Sequence, residues 1–382
     1  MGLRIGIVAA EPSGDTLGAG LMQALLARRP DVRFEGIGGP KMIAAGCDSW
    51  FPMERLSVMG LVEVLRHLRE LLGIRRALTR RWRADPPALF VGVDGPDFNL
   101  GLEARLRRAG VPTAHYVSPT VWAWRQGRVR TLRASADLVL SIFPFETAFL
   151  AAHGVAARYV GHPLADAIAP QPDPAPARRA LGIAGDPTVV AVLPGSRLAE
   201  IDALGPIFTD AACRLAARNP GLQLVTPLVN AATRARFQAI LAAAAPAAPW
   251  RLTDDARTAL AAADAVLTAS GTATLEALLV GRPMVVGYRV HPLTYRIARW
   301  LDLVKVPHIA MANLLAGERL APELVQDECT SERLAAALQG FLDDPGHVAT
   351  VRSRYAALAA ELRCDANARA ADAVLALLEG PS

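Results

Sequence analysis

Lysine is nearly absent from this chain. Only Lys41 and Lys305 occur among 382 residues, so the 41 basic side chains are almost all arginine. Set against 36 acidic residues they leave a net charge of +5, too dilute over this length to argue for nucleic acid. An anionic substrate or an anionic membrane surface is compatible with it. Cysteine is scarce as well. Cys47, Cys213, Cys329 and Cys364 are scattered and form no Cys-x-x-Cys pair, which removes the sequence signature of a zinc site or a redox motif. Reduced thiols in the cytoplasm are the expectation. No apolar run reaches the ~18–20 residues that span a bilayer. The opening MGLRIGIVAAEPSGD carries an apolar run of strand length that passes straight into acidic and glycine residues, unlike a signal peptide. No Asp-x-Asp triplet occurs, so a metal bridging two phosphates is not expected, and no cofactor is implied.

What is present is a regular alternation. Hydrophobic residues make up 52% of the chain and charged residues 20%, which excludes global disorder. Apolar runs at 4–10, 32–38, 88–93, 112–117, 136–142 and 157–161 alternate with amphipathic helical stretches. Each run is continuous, as in a parallel sheet covered on both faces. The Pro- and Ala-rich segment 170–187 interrupts the pattern, which restarts with runs at 188–196, 222–228, 264–270 and 282–288. The spacing predicts two Rossmann-like, doubly wound parallel-sheet α/β domains, over 1–168 and 185–345, facing each other across a cleft. Residues from about 346 to 380 read as helix and are expected to pack back on the first domain.

Four strand-to-helix turns carry polar residues suited to chemistry. In Leu193–Arg197, Pro and Gly turn the chain into a helix, whose N-terminal N–H groups and Arg197 suit a phosphate; Gly195 permits close approach and Ser196 adds a hydroxyl. The plain alternative is an ordinary capped helix. Ser270, Gly271 and Thr272 form a second such turn, with Glu276 one helical turn beyond Thr272. A carboxylate there is placed to accept hydrogen bonds from a ribose diol, as in dinucleotide folds, although an acid in the first helical turn can also be simply structural. In Val91–Asn99, Pro96 fixes a turn that holds Asp97 at a helix start, as a general base or as an N-cap. In Glu11–Asp15, Ser13, Gly14 and Asp15 form a loop suited to polar groups of a substrate, without the G-x-G-x-x-G spacing. Of the histidines, none of which shows ligand spacing, His162 lies at the domain junction and is the one expected near the cleft.

The stretch 56–83 is different in kind. Val58, Leu61, Val62 and Leu65 recur at helical spacing, Met59 sits among them, and Arg66, Arg69 and further arginines flank the apolar face. A helix lying on an anionic bilayer or holding acyl chains has this pattern, and so has a buried helix pair.

EPSGD (11–15), GIGGPKM (36–42), VGVDGPDFNL (91–100), YVSPTVWAW (116–124), GHPLAD (161–166), LPGSR (193–197), SGTATLEA (270–277) and MANLLAG (311–317) occur in an order and spacing that resembles the lipid-A-disaccharide synthase family. That resemblance covers most of the chain. It implies a GT-B type glycosyltransferase that moves a 2,3-diacylglucosamine from UDP to the 6-hydroxyl of 2,3-diacylglucosamine 1-phosphate, with inversion and without a metal. UDP-diacylglucosamine and diacylglucosamine 1-phosphate are then the expected partners. The protein would be peripheral on the cytoplasmic face of the inner membrane, as a monomer or homodimer. By the same resemblance Asp97 is the base, Arg197 and the Ser270–Thr272 turn hold the diphosphate, Glu276 holds the ribose, Asn313 lies beside the nucleotide, and Gly14 and Asp15 border the sugar. Pro12 departs from the family pattern, where a small residue is usual. Another UDP-N-acetylglucosamine transferase or epimerase, or a nucleotide-sugar binder without turnover, remains the alternative.

Overall fold

In the computed structural model, residues 2–56, 61–122, 126–244, 247–290 and 307–379 are described, with the backbone alone over 61–66. Val58 and Met59 therefore lie outside the described residues, as do the side chains of Leu61, Val62, Leu65 and Arg66. The chain divides into two units, Met1–Asp166 with Leu362–Ser382, and Ala167–Glu361.

The first unit is built on β1 (Arg4–Ala9), β2 (Arg33–Ile37), β3 (Cys47–Ser49), β4 (Leu89–Val93), β5 (Thr113–Tyr116), β6 (Leu138–Ser141) and β7 (Ala157–Tyr159), in the order β3-β2-β1-β4-β5-β6-β7. Every pairing is parallel. The second unit uses β8 (Val189–Leu193), β9 (Gln223–Pro227), β10 (Trp250–Thr253), β11 (Ala265–Ala269), β12 (Met284–Tyr288) and β13 (Glu323–Val325), in the order β10-β9-β8-β11-β12-β13, again all parallel. Both are doubly wound α/β sheets, the fold class expected. The strands β4, β8 and β11 are buried at every residue, which explains their unbroken apolar sequence.

In each sheet the chain winds outward in one direction and then crosses back to wind in the other. The reversal falls between β1 and β4 in the first unit and between β8 and β11 in the second. Helices on either side of such a switch point diverge, and the ends of the two strands are left open to a ligand.

The helix Leu61–Ala84 buries Ile74, Leu78 and Trp82 in the core of the first unit, four residues apart along one face. Its opposite face is exposed at Arg69, Arg76, Arg80 and Arg83, and Leu68 is exposed as well. So its second half is a core-packed helix with an arginine-rich outer face. The last helix, Ala366–Glu379, returns to the first unit and packs on Pro12–Arg28 through Ala370, Ala373 and Val374. An Arg28–Asp372 ion pair at 2.5 Å borders this contact, and Asp166 caps the helix by accepting from the N–H of Ala366 at 2.7 Å. The preceding helix, Pro345–Leu362, belongs to the second unit up to Glu361.

Candidate active site

At the switch point of the second unit four strands end around one hollow of about 410 Å³. Its walls include the last residues of β8, β9, β11 and β12, namely Leu193, Pro227, Ala269 and Tyr288. Gly195, Ser196, Arg197, Ser270, Gly271, Thr272 and Glu276 all line it. Two turns 75 residues apart in sequence thus meet, because β8 and β11 are hydrogen-bonded neighbours.

Each turn depends on a glycine. Gly195 has φ +128 and Gly271 φ +143, in the region that side chains rarely enter. A Cβ on Gly195 would also lie 2.4 Å from the Glu200 side chain. That contact corrects one expectation. The N–H groups of Ser196 and Arg197 do not stand free: both donate to Glu200 Oε2, at 2.8 and 3.2 Å. Glu200 sits three residues into the helix Leu198–Arg218 and folds back over its start, as capping carboxylates do. The groups left for an anion at this turn are the Ser196 hydroxyl and the exposed guanidinium of Arg197.

At the second turn the Ser270 hydroxyl donates to the carbonyl of Ile309 at 2.9 Å. Nothing lies within 4 Å of the position a Gly271 side chain would occupy, so the hollow reaches the backbone there. Thr272 is exposed and Glu276 is half-buried beneath it. Burial pushes the Glu276 carboxyl above its ordinary value, with Arg257 opposing and Asp255 adding to the effect. Among the described residues nothing hydrogen-bonds Glu276, so its carboxylate is available to hydroxyls of a ligand.

Asn313 does something else. Its side chain is fully buried in the helix Met311–Ala316. Nδ2 donates to Ala321 O at 2.8 Å and to Glu323 Oε1 at 2.9 Å, while Oδ1 accepts from the N–H groups of Leu320 and Ala321 at 2.8 Å each. Its carboxamide is saturated, and it has no donor or acceptor left for a nucleotide. The expectation that Asn313 lies beside the nucleotide is corrected for its side chain, which pins the 317–321 turn against β13.

In the first unit, Pro96 and Asp97 start the helix Pro96–Arg108 directly after β4. Two successive left-handed residues, Asp94 (φ 51) and Gly95 (φ 50), swing the chain outward, and Asp97 emerges with its side chain 81% exposed. Its Oδ1 accepts from Arg128 Nη2. A Cβ on Gly95 would lie 2.6 Å from that of Ala10, so the turn after β4 lies against the turn after β1. Here Ser13 is exposed and Gly14 is buried, its Cα close to Val93 at the end of β4. Asp15 is again a correction. It is 3% exposed and accepts from the N–H groups of Lys41 and Met42, at 3.0 and 2.9 Å. It caps the helix Pro40–Ala44 and does not face a sugar.

His162 is buried, and burial alone lowers it to about 4, so the ring is neutral near pH 7. Nδ1 accepts from Leu164 N at 3.1 Å, and the ring packs on Phe143 with centroids 5.4 Å apart. Trp122 donates to Glu146 Oε1 at 3.0 Å, tying the loop after β5 to the helix Pro144–Ala152. Sequence reasoning passed over Glu146, which meets Trp122 only in the fold, and Glu200, which folds back on its own helix start. The one available signal was an acid three residues past a helix start.

The sequence profile of the lipid-A-disaccharide synthetase family matches residues 5–376. Lipid-A-disaccharide synthase of Pseudomonas aeruginosa (strain UCBPP-PA14) is 54% identical over 99% of both chains. That of Sodalis glossinidius is 52% identical over 98% of both. Solved structures of similar fold include a UDP-GlcNAc 2-epimerase from Neisseria meningitidis bound to UDP-GlcNAc, with a TM-score of 0.64, 11% identity and complete coverage of both chains. MurG of Acinetobacter baumannii aligns over both whole chains with a TM-score of 0.56 and 16% identity. At such identities these two show the fold alone. At more than half identity over nearly its whole length, the chain belongs to the lipid-A-disaccharide synthase family.

Proposed function

We propose that this glycosyltransferase of lipid A disaccharide formation binds its UDP-sugar donor in the hollow of the second unit and uses Asp97 of the first as general base. The observation that carries the donor site is the convergence of Gly195–Arg197 and Ser270–Glu276 on one open strand-end hollow at a switch point. Arg197, the Ser196 hydroxyl and the backbone at Gly271, all lining the hollow, suit a diphosphate. Glu276, free of hydrogen bonds among the described residues, suits the ribose diol.

The reaction is then a single displacement. Asp97 takes the proton of the acceptor's 6-hydroxyl as that oxygen bonds to the anomeric carbon. The bond from that carbon to the diphosphate breaks, and its electron pair leaves with UDP. Inversion at the anomeric carbon follows from a single attack on the face opposite the leaving group. Arg197, the Ser196 hydroxyl and the backbone at Gly271 stabilise the leaving diphosphate without reorganising. Asp97 suits the role because it is exposed, held at a helix start and oriented by Arg128. The substrates are a UDP-diacylglucosamine and a diacylglucosamine 1-phosphate.

Acyl chains have to be drawn from a bilayer, and none of the described helices is long and apolar enough to cross one. Peripheral contact through the Leu61–Ala84 helix is our reading. Arg76, Thr79, Arg80 and Arg83 of this helix, with Arg105, line a hollow of about 370 Å³ that suits anionic headgroups.

The test is a product assay with both substrates in the presence of EDTA, following UDP release and disaccharide mass, on wild type and Asp97→Asn. Disaccharide from wild type and a loss of roughly 10²–10⁴-fold in the variant at unchanged UDP affinity are expected. Near-normal turnover of Asp97→Asn would remove the base role. Donor binding without product would move the chain to the binder alternative.

A further inference from the structure

The helix that begins with Asp97 turns an unusual face toward the sheet. Leu102 and Leu106 are the aliphatic residues expected there, but Asn99 and Glu103, four apart, are polar and fully buried. Glu103 Oε1 meets His115 Nδ1 of β5 at 2.7 Å. Gly92 makes room for both side chains: a Cβ there would lie 2.1 Å from Glu103 Oε1 and 3.0 Å from Asn99 Cβ.

Asn99 Nδ2 points at three backbone carbonyls. It donates to Asp94 O at 2.7 Å, Val8 O at 3.2 Å and Val93 O at 3.4 Å. The reversed amide would set an oxygen against three oxygens, so this orientation is the only sensible one. Val8 and Val93 lie near the ends of β1 and β4, the two strands at the switch point, and Asp94 opens the left-handed turn. The backbone N–H of Asn99 also donates to Gly95 O at 3.0 Å. One residue, two places after Asp97, thus grips both left-handed positions and both flanking strands. Among the described residues Asn99 Oδ1, buried, has no partner. The fold tolerates that orphan atom in exchange for the donor, and a position that breaks a local rule in this way is a mark of function.

We infer that Asn99 is a positioning residue for the reaction: its carboxamide fixes the Asp94–Gly95 turn and so sets the direction of the Asp97 carboxylate. The inference rests on the base role proposed for Asp97. Without the Nδ2 donor, the carbonyls of Val93 and Asp94 lose their common anchor and the turn relaxes, moving the base relative to the hydroxyl it serves. A misplacement of about 1 Å costs on the order of 100-fold in rate.

The experiment is a double-mutant cycle on kcat, with Asn99→Ala and Asp97→Asn singly and together, using long incubations to reach low rates. UDP affinity and donor KM are measured alongside. Asn99→Ala is expected to lower kcat by roughly 100-fold with donor KM and UDP affinity within about twofold of wild type. In the Asp97→Asn background it should cost nothing further, because no base is left to misplace. A residue with a merely structural role would lower kcat by the same factor in both backgrounds, and that result overturns the inference. Where Asn99→Ala does not fold, Asn99→Ser keeps a shorter donor; a smaller loss that likewise vanishes beside Asp97→Asn supports the inference, and a folded Asn99→Ser with wild-type kcat overturns it. Turnover retained by Asp97→Asn alone would defeat the base role separately, since it is read from that single variant.

Discussion

Replacing Glu146 by glutamine should invert the order of stability of the two proteins between pH 4 and pH 8.5. The carboxyl is 1% exposed, and burial raises it from 4.5 to about 7, against hydrogen bonds from Ser141, Trp122 and Phe143. The hydrogen-bond pattern suits the neutral acid. Ser141 Oγ lies 2.8 Å from Phe143 O and 2.5 Å from Glu146 Oε2. A hydroxyl has a single proton, so if it donates to the carbonyl, the carboxyl must donate to it. A carboxyl raised above its unfolded value contributes its full stabilisation below 4.5 and loses it as pH climbs through about 7. That difference amounts to about 3 kcal/mol. Glutamine can keep the acceptor for Trp122 and offer an N–H to Ser141. It then sets a donor against the Phe143 N–H, whose bond to Oε2 is 3.3 Å, at a cost of about 1 kcal/mol. Glu146→Gln should therefore be about 1 kcal/mol less stable than wild type at pH 4, below the unfolded value, and about 2 kcal/mol more stable at pH 8.5. Urea unfolding of both proteins across this range, read by near-ultraviolet circular dichroism for the tryptophans, measures it. A stability difference that stays constant with pH would show that Glu146 is ionised throughout, and the reasoning from burial would fail.

Glu276→Ala should weaken UDP binding about 100-fold or more, the worth of two hydrogen bonds to a charged group at about 1.5 kcal/mol or more each, and leave acceptor KM alone; calorimetric titration with UDP reads it, and unchanged affinity would remove the ribose role. Glu200→Gln should bind UDP about tenfold more tightly, because a carboxylate in the wall of the hollow repels a diphosphate. Weaker binding in that variant would mean that the capping function outweighs the repulsion. The triple variant Arg76→Gln, Arg80→Gln, Arg83→Gln should lose on the order of 100-fold in partition onto phosphatidylglycerol vesicles, at about 1 kcal/mol per arginine, with catalysis in detergent unaffected. Co-sedimentation in low and high salt decides it, and equal partition of wild type and variant would take the membrane away from this face.

How much of this was legible in the sequence depends on where a residue's partners lie. The interior strands were plain, since a strand covered on both faces has to be apolar along its buried run, as IGIVA (5–9) and VVAVL (189–193) are. Three strands escaped: β3, β10 and β13. Each lies at a sheet edge, and their sequences CDS, WRLT and ELV carry no apolar run. An edge strand is defined by one neighbour's backbone, and its own side chains need not announce it.

The polar residues divide in the same way. Gly195, Ser270 and Glu276 could be placed from their turns because a strand end, a glycine and a helix start are consecutive in sequence. Asp15 and Asn313 could not be assigned correctly, although they stand in equally suggestive motifs. Asp15 is engaged by N–H groups 26 and 27 residues away, and Asn313 by a turn and a carboxylate brought to it by β13. A motif says that a polar side chain is wanted, and only the fold says whether a ligand or the protein's own backbone wants it. Asn99 shows the consequence for catalysis. Beside Asp97 in VDGPDFN it reads as a polar neighbour of an acid, while its contacts with Val8 and Val93 make it the clamp on the turn that presents that acid. The residues that hold a site in place are therefore the ones a sequence hides best, because their partners come from strands that meet only after folding.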